Sequence, residues 1–310
     1  MKTNEPVKTN DSRPWGAHVS AAGGLVSALR RAQAIGATAM QIFARNQRQW
    51  RPAPLDEREA AEFRRFWPAA GIRFLCTHAS YLCNLASPEQ KLRERSQEAL
   101  IDEIRRADAL GAGCVVLHPG AARGAGRQEA LERLTDSLRL VLRETDSAPV
   151  GVALENTAGQ GTALGARIED LADALAALGR EPRLGFCLDT AHAFAAGVDL
   201  RRESALHDWL AELAGRDLLD RIWLLHLNDT TAACGSRRDR HVHIGDGEIG
   251  DRGFRHLLSC RELWRIPAII ETPKGKTPEQ AEFWDRRNLR RLRGFAKANC
   301  TRVEGKPDRV

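Results

Sequence analysis

The chain alternates between short apolar runs and longer amphipathic stretches. Eight runs recur: GAHVS (16–20), TAMQIFA (38–44), FLCTHAS (74–80), CVVLHPG (114–120), GVALENT (151–157), LGFCLDT (184–190), RIWLLHLND (221–229) and AIIETP (268–273). They are rich in β-branched residues or cysteine and largely apolar throughout, which predicts strands covered on both faces, as in a parallel sheet. The segments between them, such as 88–110 and 166–178, repeat apolar residues at spacings of three and four and predict helices. Gly36, Gly71 and Gly111 stand where helices should stop before the next strand. Eight strand–helix units in 310 residues predict an α/β fold, a single (β/α)8 TIM barrel, with an open doubly wound sheet as the alternative.

No Pro/Gly/Ser-rich linker divides the pattern, so one catalytic domain is expected over 15–296. Residues 1–14 are polar and read as a disordered extension; residues 297–310 read as a basic, loose tail. No apolar run is long enough to span a membrane, and the opening segment lacks the apolar core of a secretory signal. A bacterial-type cytoplasmic location is therefore expected. The seven cysteines include no C-x-x-C pair, and Cys76, Cys114 and Cys187 fall inside predicted strands. They read as small buried hydrophobes in a reducing compartment, not as disulfides or zinc thiolates. Lys and Arg exceed Asp and Glu by 47 to 41, a net charge of +6 that permits a polyanionic partner without requiring one.

The candidate chemistry lies at the carboxyl ends of the predicted strands. His78, His118, Glu155, Asp189, His226 and Glu271 end strands three to eight, and in a barrel those ends converge on one face. His192 follows Asp189 by three residues. In RRDRHVHIGDG, between strands seven and eight, Asp239 and His241 are two apart and would point the same way in extended chain. Taken singly, each residue reads as a hydrogen-bonded histidine or a helix cap. Six successive strand ends of this kind read differently, because converging acids and imidazoles are costly to bury unless cations compensate them. The donors are nitrogen and carboxylate oxygen only, which suits Zn²⁺, with Mn²⁺ or Fe²⁺ as substitutes. Nine donors are too many for one tetrahedral ion and fit two or three ions bridged by a carboxylate. The residues alone thus lead to a multinuclear metal hydrolase or isomerase.

GAHVSAAGGL, QIFARNQRQW, THASYLCNLAS, ALENTAGQG, FCLDTAHAFAAG, LLHLND, DRHVHIG and IIETP, in this order, resemble the endonuclease IV family of zinc-dependent apurinic/apyrimidinic endonucleases. The resemblance runs from about residue 15 to about residue 290. It implies three Zn²⁺ ions: one held by His78, His118 and Glu155, a second shared through Glu155 with Asp189, His226 and Glu271, and a third held by His192, Asp239 and His241. It also implies DNA repair by hydrolysis of the phosphodiester 5′ to an abasic site, leaving a 3′-hydroxyl and a 5′-deoxyribose phosphate, and trimming of blocked 3′ ends. Glu155 would be the catalytic residue that orients the attacking water. The partner would be double-stranded DNA with abasic sites or damaged 3′ ends, met by a monomer. Arg48 and Tyr81 would intrude into the base stack beside the lesion. Without the resemblance, Arg48 reads as a solvated loop charge and Tyr81 as a half-buried aromatic. Two departures are Val242, where many members carry an acidic residue, and Ala79, where others carry Asp or Ala.

Among the remaining polar residues, His18 ends strand one and is expected to support the site without holding metal. His243 is assigned no metal, His207 and His256 are expected on helix surfaces, and Arg45 and Arg51 are candidates for tracking phosphates. The nearest rival function is a divalent-metal sugar isomerase or epimerase on the same barrel. The additional D-x-H donors and the Arg48 loop favour the nuclease. A non-catalytic zinc protein that binds damaged DNA fits less well, because structural zinc sites are usually closed and mononuclear.

Overall fold

A computed structural model describes residues 13–304. Most of the predicted N-terminal extension, and residues 305–310 of the tail, lie outside the described residues. Eight strands form at the predicted runs: β1 (Trp15–His18), β2 (Ala39–Ile42), β3 (Phe74–His78), β4 (Cys114–Leu117), β5 (Gly151–Glu155), β6 (Leu184–Asp189), β7 (Ile222–His226) and β10 (Ala268–Ile270). They pair in parallel and close in the order β1-β10-β7-β6-β5-β4-β3-β2, a (β/α)8 barrel. Two further strands, β8 (Asp229–Thr230) and β9 (His241–Val242), form an antiparallel hairpin inside the loop after β7.

The strands read as apolar throughout because both faces are covered. Ala39, Cys76, Cys114, Val116, Ala153, Cys187, Leu224 and Ile269 point inward and fill the barrel. Outward neighbours such as Val115, Leu117, Leu154, Phe186 and Leu225 pack under the helices. Helix α3 (Gln90–Leu110) buries Leu100, Ile104, Ala107 and Leu110 in that outer layer. Each fully buried leucine or isoleucine contributes about 1.5–3 kcal/mol. Gly111 ends α3 in the left-handed region, with φ 76°, as its position in the sequence predicts. At the amino end of the barrel the Trp223 indole fills the space left by Gly151 and Gly185, where a Cβ would collide with its ring. Cys76, Cys83, Cys114, Cys187, Cys234 and Cys260 are free thiols, and Cys76, Cys114 and Cys187 are buried.

The last helix, α9 (Pro278–Glu304), continues past residue 297, where composition places the start of the basic tail. None of the described helices is long and apolar enough to cross a membrane.

Candidate metal centre

Strand periodicity builds the site. Residues two apart on a strand share a face, so the residue two beyond each inward core residue also points inward, one layer higher. Cys76, Val116, Ala153, Cys187, Leu224 and Ile269 are the core residues. Two positions on from them stand His78, His118, Glu155, Asp189, His226 and Glu271. His118 and Glu271 lie one residue past the ends of β4 and β10, and the other four are terminal strand residues.

Glu155 is fully buried at the centre of this layer. Its Oε2 lies 2.9 Å from His118 Nε2 and 3.3 Å from His78 Nε2. Its Oε1 lies 2.9 Å from His226 Nδ1 and 3.4 Å from His192 Nδ1. His226 Nδ1 is also 3.3 Å from Glu271 Oε2 and 4.0 Å from Asp189 Oδ2. The hairpin β8–β9 brings in the remaining pair: His192 Nε2 is 3.3 Å from Asp239 Oδ2, and His241 Nε2 is 3.1 Å from Asp239 Oδ1. Donor atoms lie within 4.8 Å of one another in the sets His78–His118–Glu155, Glu155–Asp189–His226–Glu271 and Asp189–His192–His241. All nine predicted donors therefore converge on one rim.

The electrostatics favour a cation. Burial opposes charge on Glu155, yet His226 and His118 hold its carboxyl well below the ordinary carboxylate range. Burial likewise opposes charge on His226, but Glu271 and Glu155 raise it to about 9. His241 is also raised to about 9, burial being outweighed by Asp189 and Asp239. Carboxylates this dense draw protons onto imidazoles that would otherwise be neutral at pH 7. His241 Nε2 is buried and makes no hydrogen bond despite its nearness to Asp239. A dense nitrogen-and-oxygen donor set that contains no Lys or Arg and leaves one donor atom orphaned fits a group of divalent ions.

Neighbouring groups fix which ring nitrogen faces the centre. His78 Nδ1 donates to the Ala79 carbonyl at 2.7 Å and His192 Nδ1 to the Asn156 carbonyl at 2.9 Å, leaving Nε2 of each for the site. His226 Nε2 donates to Gln41 Oε1 at 2.9 Å, which leaves Nδ1. The backbone carbonyl of Ala79 makes this contact, so an acidic side chain at position 79 is not required for it. Val242, the other departure, pairs with Asp229 in the hairpin.

Over residues 29–293 the chain matches the xylose isomerase-like TIM barrel family. It is 47% identical over 278 residues to a protein of Oleidesulfovibrio alaskensis named probable endonuclease 4, covering 89% of this chain and 94% of that one. A probable endonuclease 4 of Chloroflexus aurantiacus is 43% identical, with 91% and 98% covered. The crystal structure of endonuclease IV from Thermus thermophilus superposes with TM-score 0.79 at 38% identity, covering 92% of this chain and 99% of that one. The chain belongs to the endonuclease IV family. A D-tagatose 3-epimerase-like protein shares the fold alone, at 19% identity and TM-score 0.68.

In this member of the endonuclease IV family three buried amides were not singled out by sequence reasoning. Gln41 donates to Glu271 Oε1 at 2.6 Å and accepts from His226. Asn156 Oδ1 accepts from the Asp189 backbone at 2.6 Å, and Asn228 Nδ2 donates to Asp189 Oδ2 at 2.5 Å. The signal for Gln41 was present: it stands two beyond the inward Ala39 and so joins the same layer. His18 contacts Gln41 and Glu271, at 2.9 Å and 3.3 Å.

The two candidate DNA-contacting residues sit at the rim. Arg48 is exposed in the loop after β2. Tyr81 is 59% exposed, its ring 5.3 Å from that of His78 and 5.7 Å from that of His118. Beside it an open cavity of about 330 Å³ is lined by His118, His192 and Asp239. Arg45 corrects the sequence reading: it is buried rather than available to phosphates, and its guanidinium meets Asp102 at 3.0 Å. Arg51 is exposed. His243 stacks on Trp284, with ring centroids 3.9 Å apart. His207 is exposed on α7 (Glu203–Gly215) and His256 half-buried on α8 (Gly250–Ser259).

Proposed function

We infer that the protein is a metal-dependent DNA-repair endonuclease. It hydrolyses the phosphodiester 5′ to an abasic site in duplex DNA, leaves a 3′-hydroxyl and a 5′-deoxyribose phosphate, and trims blocked 3′ ends. Three Zn²⁺ ions are the proposed cofactors, with Mn²⁺ as a substitute. His78, His118 and Glu155 would hold one ion; Glu155, Asp189, His226 and Glu271 a second; His192, Asp239 and His241 a third. When bound, such ions lower the pKa of water and neutralise charge on a reacting phosphodiester.

The chain's own residues do the rest. Glu155 presents its two oxygens to different histidines, and its carboxylate would hold and orient an attacking water. Gln41, Asn156 and Asn228 hold the donors in register before substrate arrives, so little reorganisation remains for the reaction. Arg48 and Tyr81 enter the stack beside the lesion, where unstacking costs least because a base is already missing. The net charge of +6 assists approach to a polyanion.

The observation that carries the reading is the delivery of Asp239 and His241 to His192 by the β8–β9 hairpin. It supports a third cation position beyond the two that the isomerase alternative would use. The test is incubation of purified protein with a labelled duplex bearing one abasic-site analogue, with bound metal measured in the same preparation. Incision on the 5′ side with about three ions per chain is expected. No incision by the fully loaded protein would overturn it.

A further inference from the structure

Arg48 lies on a loop, yet the turn that carries it is tied down from below. Arg45 is 7% exposed and spends its guanidinium on four acceptors. Nη2 donates to the carbonyls of Gln49 and Trp50, at 3.0 and 2.7 Å, and Nη1 to Asp102 Oδ2 and the Ala99 carbonyl of α3, at 3.0 and 3.2 Å. The same Asp102 oxygen accepts from Arg106 Nε at 2.8 Å, and Arg106 Nη2 holds the Ala53 carbonyl at 2.7 Å. From the other side Ser80, next to Tyr81, donates its hydroxyl to the Gln47 carbonyl at 2.6 Å. The backbone is thus held at positions 47, 49, 50 and 53, flanking an exposed Arg48.

We propose that Arg45 is the positioning residue for Arg48: it fastens the 46–50 turn to helix α3, and selective binding of the abasic duplex depends on that fastening. The proposal rests on the lesion-contacting role given to Arg48 above. The physical reason is pre-organisation. A long flexible side chain on a loose loop must lose backbone as well as rotamer freedom on entering a base stack, and a turn already fixed loses only the rotamers. Guanidinium geometry suits the task, since its fork reaches the loop and the helix at once. Lysine, with one ammonium, cannot span both.

The experiment uses the full-length, metal-loaded protein and four variants: Arg45→Met, Asp102→Asn, Arg48→Ala and the Arg45→Met/Arg48→Ala double. Asp102 is partly exposed, so its variant folds even if Arg45→Met does not, and it loosens the same anchor. Two quantities are read: amide hydrogen exchange over residues 46–51, and the affinity ratio for abasic against intact duplex. Arg45→Met should speed exchange in that segment and lower the ratio roughly tenfold, with Asp102→Asn acting more weakly and metal content unchanged. If Arg45 works through Arg48, the double variant loses no more than Arg48→Ala alone. Additive losses would show that Arg45 acts elsewhere and overturn the proposal. Unchanged exchange in both anchor variants would overturn it as well, whatever the DNA result. A wild-type protein with no preference for the abasic duplex would instead overturn the lesion reading, while the exchange data still report whether Arg45 holds the turn.

Discussion

Asp189 caps the helix that carries His192. The Asp189 Oδ1 accepts from the His192 backbone N–H at 2.8 Å, at the start of α6 (Thr190–Ala196). Its Oδ2 faces the other way, 3.7 Å from His241 Nε2 and 4.0 Å from His226 Nδ1. One carboxylate thus starts a helix and lines the centre, so its helix-cap and site readings are compatible. The short turn also places Asp189 and His192 in one donor set with His241, while Asp189 belongs to the Glu155 set as well.

Glu155→Gln keeps the shape of the central side chain and removes its charge. Incision should fall by about a thousandfold or more, while affinity for abasic duplex stays within a few-fold, because Arg48 and Tyr81 are untouched. Single-turnover cleavage and a binding titration on one preparation check this. Cleavage at the wild-type rate would remove Glu155 from the catalytic role.

Stripping metal with a chelator should abolish incision, and returning Zn²⁺ should restore it. The stripped protein should also acquire a pH dependence that the loaded protein lacks. In it, His226 and His241 have pKa values near 9, above their ordinary 6.5. A group raised on folding stabilises fully below its unfolded pKa and loses that contribution as pH rises through its folded value. The melting temperature of stripped protein should therefore drop as the pH climbs from neutral past about 9. Thermal melts with and without Zn²⁺ measure the difference.

Glu103 on α3 gives a second pH effect, outside the nine donors. Both its oxygens are buried, and burial pushes its carboxyl up to about 7 against the attraction of Arg45. Its contribution to stability is present below about 4.5 and is lost as pH rises through about 7. Glu103→Gln removes the titrating group, so it should stabilise the protein by on the order of 2 kcal/mol near pH 8 and change little near pH 4. Denaturant titrations at the two pH values decide it; equal shifts at both would refute the assignment.

Gly16→Ala tests the closure of the barrel between β1 and β2. A Cβ at Gly16 would run into the backbone carbonyl of Ala39, which cannot move without disturbing the strand pairing. A loss of at least about 2 kcal/mol is expected, read as a lower denaturation midpoint. An unchanged midpoint would mean that the strands separate without cost.

The barrel was legible in the sequence because strands buried on both faces leave an unbroken apolar signature, and helical stretches, several of them closed by glycine, separate the eight runs. Eight of the nine predicted donors were legible because they sit at a strand end or in the D-x-H segment, where polarity interrupts an apolar pattern, and His192 was read from its place three residues after Asp189, on α6. Gln41 was passed over as one polar residue in the run TAMQIFA, and Arg45 was misjudged because a loop arginine in sequence carries no mark of burial. The sequence by itself determined which side chains end the strands, since that depends only on local pattern and a two-residue period. Only the tertiary structure decided that those ends meet around Glu155, that a hairpin after β7 closes on His192, and that Arg45 turns inward to helix α3. These relations join residues tens to hundreds of positions apart, and they are set by barrel closure and by the need to pair buried charge.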